Sequence, residues 1–256
     1  MLDAAWQRFD LTDLGDGVLQ VTMNRPEKLN AMDQLWFAEL TELMGRIGID
    51  GDSTRAVVLT GTGRAFSAGG DIDMFADLGG RPELVRPHLR RVYDAFHAVE
   101  RCAAPVVAAV QGIAYGGGTE LTLACDMALA GAAARFSFKE VTVGLMPGFG
   151  VVRAPDAIGR AWTRRLTVTG ETIDAATAER IGLVQQALPD DELLDAAVGL
   201  ARQISANDPF AVQVGKAFLN RDTTTGYNES VEATALLFST EAHARAVADF
   251  RAARGR

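Results

Sequence analysis

The sequence predicts an α/β fold, a mixed α/β core followed by a helical C-terminal region, on three observations. Short runs of branched apolar residues end in glycine-rich turns through the first two thirds of the chain. A loose strand, strand, helix order recurs there without any exact repeat. After Pro147 the pattern becomes mostly helical, and a shift near Pro189 marks where core gives way to tail.

Val18 to Met23 is the first clear strand, short and branched, ended by Asn24-Arg25-Pro26. A helix follows, because Met32, Leu35, Trp36, Leu40, Leu43, Met44 and Ile47 form an apolar stripe of helical period. Asp50-Gly51-Asp52 breaks it. Ala56 to Leu59 is a buried strand running into Gly61-Thr62-Gly63, and Phe66 to Asp71 is a loop by composition. A helix covers Glu83 to Arg101. Pro105 opens a strand over Val106 to Val110, before Gly112 and the run Gly116-Gly117-Gly118. Thr119 to Cys125 is a buried helix entered from those glycines, and Met127 to Ala130 and Phe136 to Phe138 are two more short strands. Helices are expected near Ala161 to Val168, Ala175 to Ile181, Asp191 to Ser205, Pro209 to Asn220 and Ser230 to Ala253, with a last strand across Gly182 to Leu188. The expected organisation is an α/β core over residues 1–195 and a helical region over residues 196–256.

A chain of 256 residues can bury one sizeable core plus a small helical appendage. It is 48% apolar and 23% charged, the balance of a globular enzyme, and no apolar run reaches the length of a membrane span. Met1 to Asp16 has neither the basic nor the apolar stretch of a signal peptide, so a cytoplasmic protein is expected. Cys102 and Cys125 cannot alone make a disulfide framework or a zinc site and are expected as small core residues. His88, His97 and His243 show no metal-ligand spacing. A net charge of −8 without a basic stripe argues against nucleic acid, where phosphate contacts dominate affinity. A phosphorylated cofactor would need local basic residues working against that field.

Three common motifs fail. A Walker loop needs Gly-Lys-Ser/Thr at its end, which neither Gly61 to Ser67 nor Gly148 to Arg153 supplies. Gly112 and Gly116 to Gly118 do not fit a dinucleotide fingerprint. Ala65-Phe66-Ser67-Ala68-Gly69 lacks one glycine of a nucleophile elbow. What remains is two glycine-rich turns, each following a buried strand. Such turns let backbone approach a ligand and aim its amides inward. They are either ordinary tight turns or the two halves of an oxyanion hole. Glu120 falls in the first turn of the following helix, where a carboxylate is either a helix-end charge or an acid–base group. Glu140 alone reads as a strand-end surface charge; beside Glu120 at a glycine-lined site it would suit general acid–base work.

The segments Asn24 to Met32, Val57 to Asp71, Pro105 to Gly112, Gly116 to Asp126, Gly144 to Gly148, Thr167 to Gly170 and Ala178 to Val184 are ordered motifs of one known family. Together they resemble the crotonase (enoyl-CoA hydratase/isomerase) superfamily over nearly the whole chain. The resemblance implies a crotonase-type spiral of strand–strand–helix turns whose helical C-terminal region packs in homotrimers, commonly paired as dimers of trimers. It implies an oxyanion hole made by the amides of Gly70 and Gly117. It implies catalytic glutamates at Glu120 and, twenty residues later, Glu140, the first activating water and the second exchanging the α proton.

The same resemblance implies contacts to coenzyme A. Arg25 and Lys28 would lie near its adenine-phosphate end, although exposed loop charges are as often merely solvated. Ala68, Gly70, Asp71 and Ile72 would line its path. Phe250, Arg251 and Arg254 would reach a neighbouring subunit's coenzyme, unless they belong to an ordinary amphipathic end helix. Met146 and Phe149 would shape the acyl pocket. No metal and no redox cofactor is implied, since coenzyme A arrives as part of the substrate. The chain departs from the family at Lys139, where proline is usual, at Phe149-Gly150-Val151-Val152-Arg153, and at Asp73, where lysine is frequent. The activity expected is hydration of a 2-enoyl-CoA through a thioester enolate. A Δ3-Δ2 enoyl-CoA isomerase, which needs only one carboxylate, is the alternative, followed by an acyl-CoA-binding protein without turnover.

Overall fold

Side chains of branched residues alternate between the two faces of a largely parallel sheet, and both faces are covered. The computed structural model describes residues 5–49, 52–220 and 227–254, without the side chains of residues 227, 229, 230 and 254. The large sheet runs in the order β1 (Phe9–Asp13), β2 (Val18–Met23), β3 (Ala56–Gly61), β5 (Val106–Val110), β7 (Met127–Gly131) and β10 (Gln186–Leu188). Among the described residues of this sheet, only the β1–β2 pair is antiparallel. A smaller sheet holds β4 (Ala65–Ser67), β6 (Ile113–Tyr115), β8 (Arg135–Ser137) and β9 (Ile173–Asp174).

The chain alternates between these sheets. β3 is followed by β4, β5 by β6 and β7 by β8, so each pair gives one strand to each sheet. Helices close the turns: α2 (Ile72–Leu78) and α3 (Pro82–Arg101), then α4 (Gly117–Ala124), then α5 (Gly150–Thr169). The result is a spiral of strand–strand–helix turns. On one face of the large sheet, Val57, Leu59, Val106, Ala108 and Val110 join the main core with Phe96 and Val99 of α3 and with Trp36 and Leu40 of α1 (Gln34–Arg46). On the other, Ala56, Val58, Val107 and Ala109 meet Leu193, Ala197 and Ala201, one stripe of α7 (Leu193–Ser205). The boundary expected at residue 195 falls inside this helix. The remaining helices are α6 (Ala175–Ile181), α8 (Pro209–Leu219), α9 (Tyr227–Phe238) and α10 (Glu241–Arg254). α9 packs on α3, and α10 packs on α2 and on the 3-10 turn at Lys139–Val143.

The sequence reading has no counterpart for β1, β6, β9 or α2, all short elements, and it differs from the structure at three more places. Part of the loop expected over Phe66 to Asp71 is the strand β4, only three residues long and defined by its pairing with β6. The helix expected near Ala161 begins at Gly150, with non-helical backbone at Gly159 (φ 71°, ψ 156°) dividing it. The single helix expected over Ser230 to Ala253 is two. Ser239 Oγ and Thr240 Oγ1 donate to the carbonyls of Leu236 (2.7 Å) and Leu237 (2.8 Å), ending α9, while Thr240 Oγ1 accepts from His243 N at 3.2 Å to start α10. In the expected break Asp50-Gly51-Asp52, the first two residues lie outside the described residues.

Candidate active site

Backbone hydrogen bonds draw the two glycine turns together. Asn30 is fully buried; its Nδ2 donates to Thr62 O (3.0 Å) and Ala65 O (2.8 Å), and its own carbonyl accepts from Ser67 Oγ at 2.8 Å. Ala68 N then donates to Leu29 O (2.9 Å), Met32 N to Gly69 O (2.8 Å) and Asp71 N to Met32 O (2.9 Å). Gly69 takes φ 86°, and a Cβ there would stand 2.6 Å from Tyr115 O and 3.0 Å from Gly117 N. A Cβ on Gly118 would stand 2.4 Å from Ser67 O. Only glycine permits so close a meeting of two backbones. Gly117 opens α4, where an amide has no intrahelical acceptor. Among the described residues, neither Gly70 N–H nor Gly117 N–H has an acceptor in the chain. Both glycines line one cavity of about 70 Å³.

Glu120 and Glu140 line it too. Glu120 is 6% exposed, and its Oε1 accepts from Gly150 N at 2.7 Å. Burial pushes its pKa up to about 7, against the opposing pull of the Gly150 and Phe149 amides. Glu140 abuts the glycine turn that opens α4, its Oε1 2.8 Å from where a Cβ on Gly116 would stand. Its Oε2 is covered and has no hydrogen-bond partner. Burial first, and the neighbouring Glu120 second, raise the Glu140 pKa well above the usual carboxylate range. Both carboxyls are thus shifted upward by burial, and the charge of one opposes ionisation of the other, so the pair is suited to holding and passing a proton.

The supporting residues include the family departures. Lys139, just before Glu140, donates from Nζ to Gly170 O at 2.8 Å and lies 5.5 Å from the Tyr115 ring centre, tying the Glu140 turn to the end of α5. Phe149 lines the cavity and meets Phe96 edge-on at 5.0 Å. Arg153 holds buried Glu100, which also faces His97 Nδ1 at 2.9 Å, bracing the turn that presents Gly150 N–H. Asp73 pairs with Lys28 at 2.9 Å and faces Arg251 Nε at 3.6 Å.

The other expected site residues divide. Met146 and Phe149 line the cavity with Gly70. Arg25 turns inward, 15% exposed, donating from Nη1 to Asp71 Oδ2 (2.7 Å) and Ala31 O (3.0 Å). Asp71 is 5% exposed and also caps α2 by accepting from Asp73 N at 2.9 Å. These two brace the loop. Ala68 and Ile72 flank it, half-buried. Lys28 is at the surface, and Phe250 is 41% exposed on α10. The side chain of Arg254 lies outside the described residues. The far wall was not anticipated: His88, Tyr93 and Phe96 of α3, and Thr234 and Phe238 of α9, complete the cavity. The apolar period of α3 could have shown a buried face, though not what it faces. Among the described residues, no cluster of three or more His, Cys, Asp or Glu could hold a metal ion. No described helix is long and apolar enough to cross a membrane.

A two-sheet spiral enclosing a cavity with two buried carboxyls and two glycine turns defines the class. Residues 13–251 match the sequence model of the enoyl-CoA hydratase/isomerase family, and the chain belongs to that family, the crotonase superfamily. It is 38% identical over 229 residues to the Homo sapiens mitochondrial Delta(3,5)-Delta(2,4)-dienoyl-CoA isomerase, covering 85% of this chain and 70% of that one. It is 36% identical over 233 residues to the short-chain-enoyl-CoA hydratase of Clostridium acetobutylicum, covering 88% and 87%. Its fold superposes on a crystal structure of an enoyl-CoA hydratase/isomerase from Mycobacterium paratuberculosis with TM-score 0.89 at 29% identity, covering 96% and 99%.

Proposed function

We propose that this protein is an enoyl-CoA hydratase, adding water across the double bond of a 2-enoyl-CoA. One observation carries the reading: two buried carboxyls share a cavity with two glycine amides that have no acceptor in the chain among the described residues. Glu120 takes a proton from water, whose oxygen forms a bond to the β-carbon. The π electrons move toward the thioester oxygen, where the Gly70 and Gly117 amides stabilise the enolate. Collapse of the enolate takes the Glu140 proton onto the α-carbon. The two carboxyls then exchange protonation through solvent, and the net change is one water added.

The test is incubation with crotonoyl-CoA and identification of the product by mass and NMR. A gain of one water supports hydration; recovery of unchanged thioester sinks it. Double-bond isomerisation is the second reading, favoured by the similarity to the human dienoyl-CoA isomerase. Migration in a 3-enoyl-CoA or 3,5-dienoyl-CoA without hydration of crotonoyl-CoA would establish it. Homo-oligomerisation belongs to the same proposal. α8 exposes Phe210 (72%), Phe218 (62%) and Leu219 (84%), apolar surface of the kind that marks an interface. Sedimentation as a trimer or hexamer is the expected outcome.

A further inference from the structure

The far wall of the cavity carries polar groups that the proposed reaction leaves unused. Among the described residues, two cavity-lining side chains keep a buried oxygen without a hydrogen-bond partner: Glu140 Oε2 and Thr234 Oγ1. The first belongs to the acid–base pair. The second is on α9, 3% exposed and one turn before Phe238, on the helix that packs against α3. A threonine inside a helix commonly returns its hydroxyl to the carbonyl four residues back. Thr41 does so to Phe37 O (2.8 Å), and Thr163 to Gly159 O (2.9 Å). Thr234 does not.

His88 stands in the same cavity, 1% exposed. Its Nδ1 is 3.0 Å from Gln34 Nε2, while Gln34 Oε1 accepts from Arg91 Nη1 at 3.2 Å. Arginine only donates, so Gln34 turns its carbonyl to Arg91 and its amide group to His88. The imidazole thus accepts at Nδ1 and carries its proton on Nε2. It stays neutral, because burial, with Arg91 adding, pulls its pKa down to about 4. Around these groups the surface is aromatic: Phe37 lies 5.8 Å and Phe75 6.3 Å from the His88 ring, and Phe75 meets Phe238 edge-on at 5.3 Å. A hydrocarbon chain filling this end would seal the Thr234 hydroxyl away from water with no partner, which is unfavourable.

We propose that the far end of the cavity is a subsite for an oxygen on the acyl chain, a hydroxyl or carbonyl held by Thr234 Oγ1 and the His88 Nε2–H. The preferred substrates are then oxygenated enoyl-CoA thioesters. The inference rests on the acyl-CoA reading above and names its substrate class.

Equilibrium binding separates the two. Hexanoyl-CoA, which has no double bond to hydrate, and its isomers hydroxylated at carbon four, five or six are titrated calorimetrically into the parent and into Thr234→Val. The best hydroxylated isomer is expected to bind the parent about five- to tenfold more tightly than hexanoyl-CoA, the scale of a hydrogen bond made at a buried group. That preference should fall to about twofold or less in Thr234→Val, and likewise in His88→Phe, which keeps the aromatic packing. Equal affinity of the parent for all four ligands overturns the subsite and leaves the acyl-CoA reading standing. No binding of any of them, with no turnover of crotonoyl-CoA, overturns both. A preference that survives both variants overturns the assignment to these residues. Thermal unfolding of ligand-free Thr234→Val gives a second check, since no bond is lost and the midpoint should hold or rise. A drop of several degrees means that the hydroxyl is already bonded, and the proposal fails.

Discussion

The two walls of the cavity are made in different ways. The inner wall is two carboxyls set in backbone: Gly69 O held by Met32 N at 2.8 Å, the Glu120 carboxyl held by Gly150 N at 2.7 Å, and glycines meeting where no side chain fits. The outer wall is side chains on α3 and α9, brought together from distant parts of the sequence. The contrast teaches a division of labour. Charge development needs donors that do not move, which sheets and turns supply. A helical wall can change its side chains, and hence its ligand, without shifting an amide.

The largest expected effects test whether the chemistry lies on the inner wall. Glu140→Gln and Glu120→Gln should each lower kcat on crotonoyl-CoA by about 10²–10⁴, the range of general acid–base contributions. Hexanoyl-CoA affinity should change little. Glu120→Gln that still isomerises a 3-enoyl-CoA, beside a parent that does not hydrate, moves the assignment to isomerase. Next comes Gly117→Pro, which removes one N–H at the first helical position, where proline is tolerated. A loss of about 10²–10³ in kcat is expected. A variant that is folded by circular dichroism and has parental kcat removes Gly117 from the proposed hole.

The walls also respond to pH with opposite sign. Glu120 titrates at about 7 when folded instead of the usual 4.5, so the folded chain binds more protons between those values. Its contribution to stability is complete below the lower value and lost as pH rises through the higher one. His88 is pushed down to about 4 from 6.5, so its contribution is present above 6.5 and lost as pH falls toward 4. Urea unfolding across pH separates them. Glu120→Gln should match the parent near pH 4 and exceed it by about 1–3 kcal/mol near pH 8. His88→Phe should gain on the parent only below pH 6.5. Parallel curves for either variant would mean that its wall is wetter than the geometry indicates.

Legibility in the sequence follows the same division. β2, β3 and β5 are short apolar runs rich in branched residues, and α1 and α3 show a plain apolar period, so their physics is local. Gly116 to Gly118 and Glu120 adjoin one another in sequence, and the family motifs link them to Gly70 and Glu140. β4 was hidden because three residues show no alternation, and pairing with β6 defines it. His88 and Thr234 were hidden for a deeper reason. Each is one polar residue on a helix, and only the packing of α9 on α3 turns both toward a shared space. Lys139 appeared only as a departure from proline, because its partner, Gly170 O, lies thirty-one residues further on.

The smallest expected effect concerns the surface beside the inner wall. Lys28 and Asp73 are 2.9 Å apart with side chains 33% and 44% exposed, and Arg251 approaches the same carboxylate at 3.6 Å. An exposed pair of this kind contributes about 0–1 kcal/mol to stability. Its interest is electrostatic: if coenzyme A phosphates pass here, Asp73 repels them and neutralises cations that would attract them. Asp73→Ala should therefore lower the KM for crotonoyl-CoA about two- to threefold at low ionic strength, since exposed charges act over roughly 10 Å at 0.1 M salt. The gain should fade as salt is raised, with kcat unchanged because no inner-wall contact is altered. Lys28→Ala should raise KM over the same salt range. If instead Asp73→Ala raises KM at every ionic strength, then the aspartate holds Lys28 and Arg251 in place for the ligand, and the repulsion argument fails while the inner wall stands untouched.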